Sequence, residues 1–425
     1  MTKTSLIGHT IEAFSEFTAN PQLPSDITIR NFFHNRKYLG SNDRRFIGEV
    51  YYGTIKHSMR LEAISHDALA TKKNHPQLVI AAYCLVFRHD DPKELHDVFS
   101  ELGNKFARNY PLDVFEKMAD LKREERRLKQ LSDVDRVALY HSFPKWFVEQ
   151  LIAENGVEKS SKILESLNEE AYTNLRANRI FCNRDELQKE LAELGVVTEP
   201  SALAEDALIL KKRMNVWDYK PFKQGHFEIQ DEASQLVAPF AAITSNRIRV
   251  LDACAGAGGK TLHFASLLKG SGEVFATDVD SRKLDELRKR SIRSNAQNIR
   301  IVPPVKYDAQ LGPEKFGTFN VVLLDVPCSG TGTLRRNPSI KWRLDQQMHD
   351  ELIEKQRQIM ERNAPYVKSG GVLLYSTCSL LRSEGEAQVE WFLSLHPEFT
   401  LEATRRTKVE EEHCDGFFVA RLRRS

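Results

Sequence analysis

The spacing of hydrophobic and polar positions changes twice along the chain and predicts three domains. In residues 1–130, apolar side chains recur at intervals of three and four, which is typical of amphipathic helices and predicts an all-α domain. Residues 131–218 alternate between helical and strand patterns and predict a small α+β domain. In residues 219–425, short runs rich in Val and Leu alternate with long helical stretches. Buried parallel strands joined by helices produce this pattern, so we expect an α/β Rossmann-like domain there.

Two segments of the first region stand out by their polarity. Residues 78–87 are apolar on every side, and Pro76 suits the first turn of a helix, so we expect a helix at the centre of this domain. Residues 117–136 are highly charged, and we interpret them as a solvated connector helix. The alternative is a basic face that contacts nucleic acid.

The strand runs of the last region indicate where a ligand site would form. In a doubly wound sheet, ligands bind beyond the carboxyl ends of the strands. The residues that follow each run are therefore candidates for chemistry. These runs cover residues 248–253, 273–278, 319–327 and 370–378. In the middle region, the patterns predict helices at 143–151 and 185–195 and strands at 175–181 and 207–212.

Composition excludes several classes of protein. The chain has 425 residues, of which 41% are hydrophobic and 28% charged, so a wholly disordered chain is ruled out. Its longest apolar run has ten residues, fewer than the roughly 18 that a membrane span needs. The start lacks the apolar core of a secretory signal, so we expect a cytoplasmic protein. The net charge is +2, and the six cysteines form no CxxC pair, so we expect free thiols and no metal.

A glycine-rich turn follows the first strand run. From Cys254 to Lys260 the sequence is C-A-G-A-G-G-K, which permits a sharp turn and a close approach of a ligand to the backbone. This spacing fits neither the dinucleotide fingerprint nor the P-loop, which would need a glycine at position 254. An S-adenosylmethionine site uses such a turn for the amino-acid part of the cofactor, and an acid after the second strand for the ribose. Asp278 suits that second role, whereas Asp280 is better placed to cap the next helix.

Two cysteines lie at the ends of the remaining strand runs. Cys328 follows the third run, and Cys378 ends the fourth. Two structural thiols would rarely both fall on the ligand-binding edge of one sheet. Asp325 precedes Pro327 and Cys328, so an acid, a rigid turn and a thiol share one strand end.

One known chemical requirement fits this set of groups. Carbon 5 of a pyrimidine is too weak a nucleophile to accept a methyl group directly, and a thiolate that adds to carbon 6 activates it. An acid near ring nitrogen 3 would stabilise the developing charge, and a base must later remove the carbon-5 proton. One cysteine would attack and the other would assist release. Lys260 and neighbouring backbone amides would help to ionise the attacking thiol.

These motifs resemble those of RNA cytosine-C5 methyltransferases of the RsmB/Sun type. The paired cysteine motifs are highly specific, and the similar segments extend over nearly the whole chain. They are LDACAGAGGKT (251–261), DVPCSGTGTLRRNPSIKW (325–342), YSTCS (375–379), QDEASQLVA (230–238) and DGFFVARL (415–422). The helical start, chiefly residues 40–64, is similar to the NusB-like RNA-binding domain of such proteins. The resemblance implies transfer of a methyl group from S-adenosylmethionine to carbon 5 of cytosine in RNA, with small-subunit (16S) ribosomal RNA as the expected substrate.

The resemblance also implies roles for individual residues. In the RNA family the nucleophile is the cysteine of the TC motif, so Cys378 would attack and Cys328 would aid release. Asp325 would line both the cofactor and the target base, Asp278 would hold the ribose, and Asp308 would lie on the adenine side. The methionine end of the cofactor would be held by Cys254, Ala255, Gly256, Ala257, Gly258, Gly259 and Lys260.

The glycine turn departs from the family pattern at two positions. The family usually has C-A-A-P-G-G-K, whereas this chain has Gly256 and Ala257 at the third and fourth positions. Loss of the proline makes the loop less preordered, which can weaken cofactor affinity. It removes no catalytic group.

Two basic segments are candidates for RNA contacts. Residues 282–306 carry eight Lys or Arg against two acidic residues, a local charge of +6 that suits a phosphate-contacting patch. A solvated helix face is the alternative. Four side chains that follow the first cysteine motif would hold the strand near a flipped target base by charge and stacking, and packing within the loop is the alternative. They are Arg335, Arg336, Lys341 and Trp342.

Other functions remain open at this point. The substrate could be transfer RNA instead of ribosomal RNA. An RNA-binding or antitermination module with a vestigial methyltransferase domain is a second alternative, although the intact cysteine motifs argue against decay. A nicotinamide-dependent dehydrogenase shares the fold class but leaves both strand-end thiols unexplained. We expect a monomer with RNA as its partner, no membrane association and no metal.

Overall fold

The computed structural model describes residues 1–73, 75–106, 109–212, 214–303 and 317–425. The chain folds into two compact units. The first comprises residues 1–169 and 334–346, and the second comprises residues 170–333 and 347–425. None of the helices in these described ranges is long and apolar enough to cross a membrane.

The first unit is built from α-helices. They are α1 (Lys3–Ala19), α2 (Ser25–His34), α3 (Ser41–Lys56), α4 (Ser58–Leu69), α5 (Pro76–Phe87), α6 (Pro92–Phe106), α7 (Leu112–Ala119), α8 (Leu121–Leu128), α9 (Asp133–His141), α10 (Lys145–Asn155) and α11 (Val157–Asn168). A short 3₁₀ turn over Pro338–Trp342 belongs to the same unit. Helix α5 begins at Pro76 and is buried along most of its length, as its apolar sequence predicts. Helix α10 confirms the helix expected at 143–151.

The charged stretch 117–136 is not one solvated helix, so that prediction is wrong. It is divided among α7, α8 and α9, because Asp120 and Ser132 cap new helix starts by accepting hydrogen bonds from backbone amides. Its charges are also partly internal. Glu124 is 7% exposed and accepts two hydrogen bonds of 2.8 Å from the guanidinium of Arg60.

A small antiparallel sheet opens the second unit. Its elements are β1 (Asn174–Ala177), α12 (Arg184–Glu193), β2 (Thr198–Pro200), β3 (Ala207–Leu210), α13 (Lys220–Lys223) and β4 (Phe227–Ile229). The strand order is β2-β3-β1-β4. The predicted strands at 175–181 and 207–212 and the helix at 185–195 are all present with shorter bounds. Strand β4 of this sheet lies beyond residue 218. The division into domains at 130 and 218 stays a prediction.

A seven-stranded sheet forms the rest of the second unit. Its elements are α14 (Glu232–Gln235), β5 (Arg249–Asp252), α15 (Gly259–Leu267), β6 (Glu273–Ala276), α16 (Ser281–Arg293), β7 (Ile299–Ile301), β8 (Phe319–Asp325), α17 (Gln346–Asn363), β9 (Val367–Thr377), α18 (Glu386–Leu395), β10 (Phe399–Arg406), α19 (Val409–Glu412) and β11 (Phe418–Arg424). The strand order is β10-β11-β9-β8-β5-β6-β7. The four predicted runs are the parallel strands β5, β6, β8 and β9, which confirms the Rossmann-like fold. Strand β11 enters antiparallel to β9, so the sheet is mixed.

The register of two central strands brings the candidate residues together. Strands β8 and β9 are parallel neighbours, and Asp325 at the end of β8 is paired with Ser376 near the end of β9. The residues that follow each strand therefore leave the sheet at the same edge. The two cysteine motifs begin at this point.

Candidate active site

The two strand-end thiols are in contact. The Sγ atoms of Cys328 and Cys378 lie 3.4 Å apart, although 50 residues separate them in sequence. Both thiols are free and partly accessible. The hydrogen bond with Cys378, followed by burial, raises the pKa of Cys328 well above its usual value. The neutral Cys328 thiol can therefore donate a hydrogen bond to the sulfur of its neighbour.

An ion pair lies at the end of β8, three residues before Cys328. The Lys260 ammonium donates to Oδ2 of Asp325 at 2.6 Å, and the Ser376 hydroxyl donates to Oδ1 at 3.0 Å. Lys260 is only 8% exposed, and its Nζ lies 4.7 Å from the centre of the Phe417 ring. The ammonium thus neutralises Asp325 instead of a thiol, which differs from the role that the sequence suggested. The serine and the ammonium fix the direction of the carboxylate.

The glycine turn between β5 and α15 has the shape of a ligand cradle. Gly256 and Gly258 both adopt left-handed backbone conformations, with φ of 53° and 90°. A Cβ at Gly258 would lie 2.2 Å from Cδ1 of Leu287, so close packing against α16 requires glycine there. A Cβ at Gly256 would meet no atom within 4 Å, so this part of the turn faces open space. Gly256 and Ala257, which replace the usual Ala-Pro of the family pattern, therefore leave the turn open to a ligand.

The acid after β6 braces this turn. Asp278 Oδ2 accepts a hydrogen bond of 2.8 Å from the Gly256 amide, and Oδ1 accepts one of 2.9 Å from the Asp280 amide. Asp280 in turn caps α16 by accepting from the Arg282 amide, as the sequence predicts. A glycine turn open to space beside a strand-end carboxylate fits S-adenosylmethionine better than a phosphate, because the carboxylate can accept hydrogen bonds from ribose hydroxyls and would repel a phosphate.

Two further side chains lie at or just before the turn, the half-buried Cys254 and the buried Asp252. Burial raises the pKa of the Cys254 thiol far above its usual range, so it is an inert wall of the loop. Burial also raises the pKa of Asp252 to about 7, and Thr261 donates a hydrogen bond of 2.7 Å to its Oδ2. Asp308, expected on the adenine side, lies outside the described residues.

The structure corrects the placement of three residues that were expected to face RNA. Arg335 is 4% exposed, and its Nε donates to the Ser166 carbonyl at 3.0 Å. Lys341 is 3% exposed and donates to carbonyl and amide oxygens within the helical unit. The Trp342 ring packs edge-on against Phe17 with centroids 5.1 Å apart. These groups already have protein partners, so the packing alternative describes them. Arg336 is half-buried.

The basic segment 282–306 is partly neutralised. Glu228 is only 3% exposed. It forms ion pairs with Arg290 at 2.9 Å and with Arg293 at 2.5 Å. Lys289 remains largely exposed, with 77% of its side chain accessible. Lys306 lies outside the described residues. The charge of +6 counted for residues 282–306 therefore overstates the positive electrostatic field that a ligand would meet on α16.

One residue of the site was not predicted from the sequence. Glu384, in a 3₁₀ turn over Arg382–Glu384, is fully buried and accepts hydrogen bonds from Ser329 and Ser379. Each serine directly follows one of the two cysteines. The acidic residue shortly after the second cysteine motif was the only sequence signal, and a solvated turn explains such a residue equally well.

Comparisons with known proteins agree on one family. Residues 242–423 match the family model described as 16S rRNA methyltransferase RsmB/F, and residues 143–217 match a ferredoxin-like domain of RsmF/B-like methyltransferases. A ribosomal RNA small subunit methyltransferase B of Vibrio cholerae serotype O1 is 31% identical over 89% of each chain. A probable ribosomal RNA small subunit methyltransferase B of Bacillus subtilis is 28% identical over the whole of both chains.

Solved structures share the fold. The crystal structure of PH0851 has a TM-score of 0.78 and 27% identity, and it covers 100% of this chain and 99% of its own. The structure of NSun6 from Pyrococcus horikoshii with SFG has a TM-score of 0.60 and 20% identity, and it covers 66% of this chain and 98% of its own. The match to a NusB-like domain stays a prediction from sequence.

Proposed function

We propose, from the premise that the chain belongs to the RsmB/F family of 16S rRNA methyltransferases, that it forms 5-methylcytosine in small-subunit ribosomal RNA by covalent catalysis through Cys378. S-adenosylmethionine, bound at the turn 254–260 and beside Asp278, supplies the methyl group. The observation that carries the proposal is the 3.4 Å contact between the two thiols. A methyltransferase that acts on a more nucleophilic atom would need neither of them.

The first step is the addition of the Cys378 sulfur to carbon 6 of the target cytosine. A carbon–sulfur bond forms, the double bond between carbons 5 and 6 is lost, and electron density moves toward carbon 5 and ring nitrogen 3. Asp325, held by Lys260 and Ser376, would orient the base as a hydrogen-bond acceptor, and the Lys260 ammonium bound to it would offset the negative charge that develops near nitrogen 3. Because the ion pair is already in place, its orientation costs nothing during the reaction.

The second step is elimination, in which Cys328 takes part. After the methyl group is on carbon 5, the proton on that carbon must leave and the carbon 6–sulfur bond must break. The first cause of the raised pKa of Cys328 is its hydrogen bond with Cys378. Cys328 therefore enters this step as a neutral thiol, 3.4 Å from the Cys378 sulfur. It would donate its proton to that sulfur as the carbon 6–sulfur bond breaks, and the Cys328 thiolate left behind would accept the carbon-5 proton while the double bond between carbons 5 and 6 forms again.

The test uses the full-length protein, S-adenosylmethionine and small-subunit ribosomal RNA. We expect Cys378→Ala to abolish methyl transfer, and Cys328→Ala to accumulate a protein–RNA complex that survives denaturing gel electrophoresis. Cys182→Ala serves as the control, because this thiol lies in the loop between β1 and α12 and not at the end of β8 or β9. Turnover by Cys378→Ala would refute the nucleophile assignment. Free RNA and an undiminished rate with Cys328→Ala would refute the release role.

The substrate is tested with the same proteins. We expect methylation of small-subunit ribosomal RNA and none of transfer RNA, and bisulfite sequencing of cellular RNA with and without the gene identifies the nucleotide. Preferential methylation of transfer RNA would overturn the proposed substrate while leaving the chemistry intact.

A further inference from the structure

Glu384 connects the two loops that carry the thiols. It is fully buried, and its carboxylate accepts four hydrogen bonds. Oε1 accepts from the Ser329 amide at 2.8 Å and from Gln356 Nε2 at 3.0 Å. Oε2 accepts from the hydroxyls of Ser329 at 2.5 Å and Ser379 at 2.6 Å. An ionised carboxylate has about four acceptor sites and no donor, so this set of partners matches it fully.

The two serines link the hydrogen bonds of Glu384 to the two cysteines. Ser329 directly follows Cys328, and Ser379 directly follows Cys378. Their hydroxyl oxygens lie 3.3 Å apart, and the Thr331 hydroxyl lies 3.2 Å from that of Ser379. One carboxylate thus receives hydrogen bonds from the residue adjacent to each sulfur. A shift of either loop would break at least one of its four bonds.

Glu384 is also held from two other elements, through its backbone carbonyl and its carboxylate. Tyr375, in β9, donates its hydroxyl to the Glu384 carbonyl at 2.8 Å. Gln356, in α17, contacts the carboxylate and also donates to the Pro327 carbonyl at 3.1 Å. Pro327 directly precedes Cys328. The bridge is therefore tied to the sheet and to a helix, and it cannot follow the motion of one loop alone.

Because Glu384 is buried, breaking any hydrogen bond to its carboxylate costs free energy. Water cannot replace a lost partner of a buried ionised carboxylate, so every loop arrangement that breaks a bond costs free energy. In an exposed turn, solvent would satisfy the carboxylate and the loops would be free to separate. The buried bridge favours one arrangement of the two loops.

We propose that Glu384 is a positioning residue that holds the Cys328 and Cys378 sulfurs in contact. Glu384 donates or accepts no hydrogen bond with either sulfur, and it positions them through the two serine-bearing loops. Its charge also contributes to the raised pKa of Cys328, and Glu384→Gln removes that charge while keeping the size of the side chain. The consequence for catalysis rests on the proposed function of the two thiols. The effect of Glu384 on the distance between the two sulfurs does not depend on that proposed function.

Proximity is measured without RNA, in the full-length protein. Diamide takes up the two thiol hydrogens and leaves a disulfide, and peptide mapping gives the rate of the Cys328–Cys378 bond. We expect Glu384→Ala to slow this reaction by about tenfold or more, because four donors lose a charged acceptor. Glu384→Gln keeps the size and can pair with the same hydroxyls, so we expect a rate within about threefold of the wild type. Glu390→Ala is the matched control, since Glu390 is exposed and pairs with Arg382.

Catalysis is measured on the same variants. A displacement of about 1 Å at a reacting group can cost about 100-fold in rate, so we expect a loss of that order in kcat for Glu384→Ala. The KM for RNA and the Kd for S-adenosylmethionine should not change. A general loss of structure would alter all three values, and it would not be rescued by Gln.

Each outcome decides the proposal. Wild-type disulfide formation and wild-type kcat in a folded Glu384→Ala protein would overturn it. If this variant does not fold, Ser379→Ala removes a single donor, and unchanged values for both measurements in that variant would also overturn it. If the wild type methylates no RNA, the proposed function fails, and the diamide rates still test the role of Glu384 in holding the thiols.

Discussion

Replacement of Lys341 by methionine is expected to destabilise the helical unit and to leave RNA affinity unchanged. The Lys341 ammonium donates to the Lys56 carbonyl at 2.9 Å and to Oδ1 of Asn168 at 2.6 Å. Its Nζ lies 3.5 Å from the centre of the Phe143 ring. Methionine keeps the length and the apolar stem but offers no donor. The variant therefore separates an internal anchor from an RNA contact.

The size of the effect follows from these contacts. Each hydrogen bond from a charged donor contributes about 1.5–3 kcal/mol, and a cation over an aromatic ring adds about 0.5–2 kcal/mol. Desolvation opposes them, because burial lowers the pKa of Lys341 well below its usual value. Methionine avoids that cost and retains the contact with the ring. We expect a net loss of about 2 kcal/mol, which comes mainly from two buried oxygens left without a donor.

Two measurements separate the roles of Lys341. Urea unfolding should show a lower midpoint for Lys341→Met. The salt dependence of RNA binding should keep the wild-type slope, because each phosphate contact contributes about 0.7–0.9 to the slope of log K against log salt. Lys289→Met is the control with opposite behaviour. Lys289 is 77% exposed on α16, so its loss should leave the unfolding midpoint unchanged and reduce the slope if this face contacts phosphates.

A wild-type unfolding midpoint together with a loss of close to one unit of salt slope in Lys341→Met would refute the internal role of this side chain. Lys341 would then contact RNA, as the sequence alone suggested. The segment 334–346 would have to leave the helical unit when RNA binds.

Two further predictions concern the end of β5 and the glycine turn that follows it. Because burial raises the pKa of Asp252 to about 7, only the folded state holds this proton between pH 4 and 7. Stability should therefore fall by up to about 4 kcal/mol as pH rises through that window, and Asp252→Asn should remove this dependence in unfolding midpoints measured from pH 4 to 8. Gly258→Ala would place a Cβ 2.2 Å from Leu287 at a φ of 90°, so calorimetry should find weaker binding of S-adenosylmethionine. Gly270→Ala has a similar backbone strain with no atom within 4 Å; equal affinity losses in both variants would contradict the packing argument.

The strands and their convergence could be predicted from sequence because both depend on local pattern. A buried parallel strand is a short apolar run, and its carboxyl end is where the next polar residues appear. The carboxyl ends of neighbouring parallel strands lie at one edge of the sheet, so the sequence alone predicts that Cys328 and Cys378 lie close together. The structure brings their sulfurs to 3.4 Å. The antiparallel entry of β11 was not predicted, since an apolar run does not state its direction.

The direction of charged side chains could not be predicted in the same way. The segment that follows Cys328 contains Arg335, Lys341 and Trp342, and such a basic and aromatic set also suits RNA binding. Its partners lie far away in sequence: Lys341 binds an oxygen of Asn168, 173 residues earlier. A local pattern gives the charge of a residue but not the acceptor that it will meet. Only the tertiary fold shows that these cations are paired internally.

Glu384 shows the same limitation for an acidic residue. In R-S-E-G-E, its neighbours favour a solvated turn. It is buried because Ser329, Ser379 and Gln356 supply donors from three separate segments. In water each of these bonds would be exchanged for a solvent contact at little net cost, whereas in the interior the loss of one leaves an ionised oxygen unsatisfied. A residue that contacts neither thiol can for this reason determine the distance between them, since the cheapest arrangement of the two loops is the one that keeps all four bonds.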